Sequence, residues 1–211
     1  MKNFKSSELP TVVFGRSPSY NLLVVLDLKL FMDVYVIKVT LLGTKPPVWR
    51  RILVPRDITL SNLHRTLQIV MGWTNTHLHQ FVFPGAKNLA LRQGFSAKIG
   101  NESRTTLGDL LDSPGAKLLY EYDLGDCWRH ELMLERVLLG DESFRQTCVA
   151  GERQCPPEDS GGPQGFVEML KAFAQEDHPE HEVACEWLGD DFAPEFFDPD
   201  EINRKLQRRR A

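Results

Sequence analysis

The hydrophobic positions fall into runs of two different periods. From Val34 to Leu42 (VYVIKVTLL) β-branched residues dominate, which predicts a strand. Gly43 and Pro46-Pro47 break it. Val48–Val54 (VWRRILV) predicts a second strand, paired with the first as a long hairpin and ended by Pro55. The period then changes to helical. Thr59 is placed to cap a helix over Leu60–Met71, in which Leu60, Leu63, Leu67 and Val70 make the buried face, and Gly72 stops it. His77–Phe83 (HLHQFVF) returns to strand. Residues 84–104 are polar and Gly-containing and read as loop, and Thr106–Leu111 reads as one or two helical turns. Leu118–Asp123 and Trp128–Val137 predict a hairpin through Leu124-Gly125-Asp126-Cys127. A Pro- and Gly-rich loop covers Cys148–Gly165. Pro163 then opens a helix with Phe166, Met169, Leu170 and Phe173 on its apolar face. Near the end, Asp198-Pro199-Asp200-Glu201 reads as N-cap, first-turn proline and capping-box Glu of a helix that buries Ile202 and Leu206. Strands, one helix, more strands and then helices predict a single α+β domain: an antiparallel sheet built from hairpins, with a few packed helices.

Residues 1–31 do not share this patterning. They are expected to be a poorly ordered extension with Met32 as the natural start; the alternative is a strand at Leu22–Leu28. The domain is placed at 32–207 and a basic tail at 208–211. The apolar run Asn21–Phe31 is interrupted by Asp27 and Lys29 and is too short for a membrane span. The 211 residues are 42% hydrophobic and 26% charged, a globular composition with enough chain for a real core. Net charge is −4, so no global positive field draws the protein to nucleic acid. Arg204, Lys205, Arg208, Arg209 and Arg210 are the local exception and suit a helix C-terminus. Cys127, Cys148, Cys155 and Cys185 form no C-x-x-C pair and follow no secretion signal, which points to a reduced, cytoplasmic protein with no membrane partner.

Four constellations can carry chemistry. Strand alternation puts His77 and His79 on one face, where a third ligand from His130, Asp126 or His64 would complete a divalent transition-metal site. The opposing reading makes one of them a core histidine beside Phe81. In the hairpin Tyr120–His130, Asp126 and His130 are candidate acid–base groups, although Gly125-Asp126 is ordinary turn chemistry and Trp128 ordinary core. The loop Cys155–Gly165 (CPPEDSGGPQG) offers backbone N–H groups to an anion, but Glu158 and Asp159 repel phosphate and no Walker lysine is present. A Cys2His2 set of Cys148, Cys155, His178 and His181 has the wrong spacings for zinc. Finally, Trp49 and Arg51 share one strand face and Arg50 takes the other. An exposed Trp beside Arg can stack a base, whereas a core Trp with carboxylate-paired arginines is the plainer arrangement.

These blocks together resemble the plasmid pRiA4b ORF-3-like family, which is also similar to a passenger protein of some bacterial insertion sequences. The matching residues are Pro46-Pro47-Val48-Trp49-Arg50-Arg51, Leu63-His64 through Met71-Gly72-Trp73, and His77-Leu78-His79-Gln80-Phe81. They continue with Tyr120-Glu121-Tyr122-Asp123, Gly125-Asp126, Trp128-Arg129-His130, Pro156-Pro157-Glu158-Asp159 with Gly161-Gly162, and Phe196-Phe197-Asp198 through Asn203. Leu124 stands where the family usually has Phe, and Phe166 where it usually has Tyr. The resemblance implies an α+β fold and a link to mobile elements, and it brings no mechanism. A resolvase-like role has been suggested for the insertion-sequence relatives, but the chain shows no serine- or tyrosine-recombinase constellation.

The leading expectation is therefore an intracellular accessory or binding protein. Its motif residues Trp49, Arg50, Arg51, His64, Trp73, Tyr122, Asp123, Trp128, Glu158 and Asp159 would line one groove for a protein or nucleic-acid partner. A metal-dependent hydrolase or nuclease using His77, His79, His130 and Asp126 is the first alternative. A nucleic-acid-binding module using Trp49, Arg50, Arg51 and the basic tail is the second, and it requires steep salt dependence.

Overall fold

The computed structural model describes residues 31–82, 101–189 and 191–208. The possible strand at Leu22–Leu28, most of the 84–104 loop, Phe83, Arg209 and Arg210 lie outside these residues.

Strands β1 (Met32–Leu41) and β2 (Trp49–Pro55) form the expected hairpin. Helix α1 (Leu60–Met71) follows, with the predicted ends. The Thr59 side chain accepts from the Asn62 N–H, and Gly72 closes the helix in the left-handed region at φ 79°. Next come β3 (His79–Val82), a 3-10 turn at Leu107–Asp109, and the hairpin of β4 (Lys117–Tyr122) and β5 (Trp128–Gly140). Strand β6 (Thr147–Glu152) occupies the start of the segment expected to be loop. It has no alternation to betray it, and it forms by pairing with the free edge of β2. Helices α2 (Gly162–Phe173), α3 (His181–Leu188) and α4 (Pro199–Arg208) complete the chain. Helix α3 went unpredicted; HEVACEWL is short and has no side-chain cap. Asp198 caps α4 as expected, accepting from the Asp200 and Glu201 N–H groups.

The sheet is antiparallel throughout, in the order β3-β4-β5-β1-β2-β6. Its two faces differ in chemistry. One face, carrying Ile37, Val39, Ile52, Val54, Tyr120, Tyr122, Trp128, Leu132 and Leu134, packs with α1 residues Leu60, Leu63, Leu67 and Val70 into one core. The other carries cross-strand ion pairs: Arg51 with Glu135, Lys117 with Glu131 and Arg129 with Glu121. Between Val36 and Ile37 the β1–β5 register slips by one residue, so Glu135 has no ladder partner, and its carboxylate receives Arg51 Nε and Nη2.

Candidate functional site

The adjacent arginines of β2 have opposite fates. Arg50 points into the core and is 3% exposed. Its Nε donates to the Val70 carbonyl, Nη1 to those of Trp49 and Glu152, and Nη2 to the Arg153 carbonyl and Cys155 Sγ. That engages all five donors of a guanidinium, while the Phe197 ring lies 4.8 Å away. Arg50 is thus a brace between α1, β6 and the following loop, with no N–H left for a ligand. It forms part of the wall of a cleft of about 280 Å³ that also touches Met71, Phe192, Phe197 and Glu201. Arg51 and Trp49 lie on the other sheet face. Arg51 and Lys38 sit 5.1 Å and 5.0 Å from the Trp49 ring, so its stacking surface already has cationic neighbours.

Trp128 and His130 are fully buried and line no groove. His130 packs against the edge of Trp73 at 5.2 Å and beside Tyr120 at 5.5 Å. Neither ring nitrogen makes an aligned hydrogen bond, although the Tyr120 and Trp128 backbones lie near enough to oppose the effect of burial. Burial dominates and pushes the imidazole down to about 4. An acid–base role for His130 would need access that the fold does not give.

The expected set of His77, His79, His130 and Asp126 is likewise taken apart. Strand β3 begins only at His79, so the alternation argument does not reach His77. His79 Nε2 meets Glu102 Oε2 at 2.9 Å, and its ring stacks on His64 with centroids 3.5 Å apart and planes 3° from parallel. His64 continues a polar chain through the core. Gln68 Nε2 donates to the Tyr120 hydroxyl, which lies 2.8 Å from His64 Nδ1, and His64 Nε2 meets Asn75 Oδ1 at 2.6 Å. A neutral His64 protonated on Nε2 satisfies every contact in that chain. Burial, then the neighbouring charge of His79, lowers His64 to about 4. Glu102, Asn75 and Gln68 were missing from the sequence reading; nothing in their local pattern marks them. Asp126 Oδ2 accepts the Gly161 N–H at 3.0 Å and ties the β4–β5 turn to the glycine loop. The Cys2His2 set does not gather either: His181 contacts the Ala172 carbonyl and Cys185, while Cys155 receives Arg50.

What does converge is one end of the molecule. Trp73 Nε1 donates to the Pro156 carbonyl at 2.9 Å, and its ring stacks on Tyr122 with centroids 5.0 Å apart. The Tyr122 hydroxyl donates to Glu158 Oε1 and accepts the Thr76 N–H at 3.0 Å. Glu158 Oε2 takes the Thr74 N–H and hydroxyl. Burial would raise the Glu158 carboxyl, but the Thr74 and Tyr122 hydrogen bonds, with His77 nearby, hold it below the usual range. Burial and the bond to Glu158 raise Tyr122. His77 lies between two carboxylates, with Nδ1 3.6 Å from Asp123 Oδ2 and Nε2 3.1 Å from Asp159 Oδ1. His77, Asp123 and Asp159 are a group, found among the described residues, that brings three possible metal-ligating atoms within 4.8 Å of one another. The surface is acidic and built from three segments: Trp73–His77, Tyr122–Asp126 and Pro156–Gly162.

An α+β protein with a one-sided antiparallel sheet of this kind has a solved counterpart. The chain belongs to the family described as "Plasmid pRiA4b ORF-3-like protein", whose profile matches residues 33–201. It is similar to the uncharacterized protein y4hQ of Sinorhizobium fredii, with 36% identity over 154 residues, 72% of this chain and 79% of that protein. It is also similar to the crystal structure of a protein of unknown function, MM3350, from Methanosarcina mazei Go1. There the TM-score is 0.70 at 37% identity, covering 82% of this chain and 98% of the other. Among the described residues no helix is long and apolar enough to cross a membrane.

Proposed function

We propose that the protein is a mobile-element-associated accessory protein that acts by binding, and that its working surface is the acidic loop cluster. The observation that carries this reading is the convergence of three sequence blocks through Trp73–Pro156, Tyr122–Glu158 and Asp126–Gly161, contacts between residues 83, 36 and 35 positions apart. Such a shell of interlocked contacts holds a surface rigid, which suits recognition. The charge of the surface favours a basic protein segment as partner over nucleic acid. Arg51, Lys117 and Arg129, on the sheet face opposite the core, are each paired to a carboxylate, which also weighs against a phosphate track there.

The test is affinity capture with the full chain from cells carrying the mobile element, followed by reconstitution of the captured protein with purified components. Wild type and a control bearing Leu139→Lys on β5 should bind equally, and Asp126→Arg/Asp159→Arg should lose binding at least tenfold. A purified partner that binds the charge-reversed surface as well as wild type would refute the reading. So would tight, salt-steep DNA binding that the reversal leaves unchanged.

A further inference from the structure

We propose that His77, Asp123 and Asp159 form a binding site for one divalent first-row metal ion, Mn²⁺ or Zn²⁺, at the centre of the acidic loop surface. The inference rests on the reading of that surface as the working one, and it replaces the ligand set that the sequence suggested. Ligand atoms held about 2.1 Å from a common ion stand roughly 3.0–3.4 Å apart in octahedral or tetrahedral geometry. Of the recorded contacts, Nε2 to Asp159 Oδ1 at 3.1 Å falls in that range, so the ion would sit on Nε2; Asp123 Oδ2 lies 3.6 Å from the other ring nitrogen, and one ligand atom from each of the three residues lies within 4.8 Å of the others.

His77 Nε2 is shielded from solvent yet makes no aligned hydrogen bond, even though Asp159 Oδ1 is at ion-pair distance. A buried ring nitrogen without a partner is unfavourable, and an ion seated between it and the carboxylates would satisfy it. The carboxylates are divided in a matching way. Asp123 Oδ1 accepts the Gly125 and Asp126 N–H groups, which orients the side chain and leaves Oδ2 facing His77. Asp159 makes no other side-chain hydrogen bond among the described residues. Glu158 and Asp126 are engaged by Thr74, Tyr122 and Gly161, so they stay outside the ligand set and keep the surface acidic.

A neutral imidazole, two carboxylates and a divalent ion sum to zero charge. One imidazole with two carboxylates suits Mn²⁺, Fe²⁺ or Zn²⁺ better than the all-oxygen shells of Ca²⁺ or Mg²⁺. The Asp159 side chain is 62% exposed, so the outer side of the site is open and its remaining coordination positions are free for water or a group of the partner.

The test is titration of the chelator-treated full chain with MnCl₂, followed by loss of the free-ion electron paramagnetic resonance signal, and with ZnCl₂ by calorimetry. One ion per chain is expected, with at least tenfold weaker binding in Asp159→Asn and in His77→Gln. Asp159 is exposed at a loop, so its variant should keep the wild-type circular dichroism. His79→Gln, which alters the neighbouring Glu102 pair, should bind metal as wild type does. Absence of saturable binding, or binding that survives both Asp159→Asn and His77→Gln, overturns the proposal. The two readings fail separately. Partner capture by a wild-type chain that shows no saturable metal binding refutes the ion and leaves the surface standing. Metal binding with a partner indifferent to Asp126→Arg/Asp159→Arg supports the ion and refutes the surface.

Discussion

Truncating each of the two adjacent arginines of β2 asks whether burial or charge sets their contribution. In Arg50→Ala, four carbonyls and the Cys155 thiol lose a cationic donor at once. A hydrogen bond to a charged group contributes roughly 1.5–3 kcal/mol net, and orphaning a buried acceptor costs about 1–3 kcal/mol. Simple addition over five contacts overshoots, because the adjoining cleft lets water reach part of the vacated space. A loss of about 4 kcal/mol is expected. For a chain of this length that corresponds to a fall in Tm of roughly 8–16 °C. Arg51→Ala breaks a bidentate contact to Glu135, but the two side chains are 30% and 22% exposed, so the loss should stay near 1 kcal/mol or below. Arg50→Lys keeps the charge but has three donors where the site uses five, and it should fall between the two. Urea unfolding followed by Trp fluorescence measures all three. If Arg50→Ala and Arg51→Ala differ by less than about 1 kcal/mol, with unchanged m values, the brace is not what holds α1, β6 and the loop together.

Four further outcomes follow from the site. His64 and His130 both titrate near 4 when folded, against about 6.5 unfolded, so the unfolded chain binds more protons between those values; stability should be full above about pH 6.5 and fall by up to about 1.4 kcal/mol per pH unit for each histidine as pH drops toward 4. A flat urea midpoint across that window would refute both burials. His130→Leu should be neutral or stabilising by about 1 kcal/mol, since it removes two unpaired buried nitrogens; a loss above about 2 kcal/mol would mean that the ring is satisfied. Gly162→Ala should destabilise by about 3 kcal/mol or more, because φ is +69° and a Cβ would meet the Asp126 carbonyl oxygen at 2.3 Å, whereas Gly161→Ala, with its nearest atom at 3.5 Å, should lose only about 1 kcal/mol. Trp73→Phe should lose about 1–2 kcal/mol with the Pro156 bond and raise hydrogen exchange in the 156–162 loop; unchanged exchange there would show that the loop is held by other contacts.

Where a residue's fate depends on its near neighbours, the sequence was readable. Helix α1 came out with its cap, its stop and its buried face, because Thr59, the apolar spacing and Gly72 each act within one turn. Alternation correctly separated Arg50 from Trp49 and Arg51, and Trp128 lies in the core as its plainer reading had it. Period two failed at His77, since it applies only inside a strand and β3 starts at His79. Strand β6 and the partners of His79 and His64 were invisible for a related reason: each is defined by an element distant in the chain. Glu102 reaches His79 from beyond a long connection, and Glu158 reaches Tyr122 from another loop.

The same distinction explains why the chemistry lies where it does. Three of the histidines singled out in the sequence, His64, His79 and His130, are held by the sheet and α1, where the rings must be partnered or tightly packed. His130 cannot be reached, and His64 is already fully engaged by Tyr120 and Asn75. His77 has no ladder position to fill, and its part-buried ring packs edge-on against Tyr122 between two carboxylates supplied by loops. Both carboxylates sit at left-handed backbone positions, with φ of 54° at Asp123 and 60° at Asp159. Neither residue is glycine, so each position carries a modest conformational penalty. At Asp123 the conformation serves the turn, whose Gly125 and Asp126 N–H groups its Oδ1 accepts; at Asp159 no such bond accompanies it among the described residues. The proposed working surface thus falls on loops held together by Trp73 and Glu158, where side chains can reach a ligand, and not on the core histidines, which cannot.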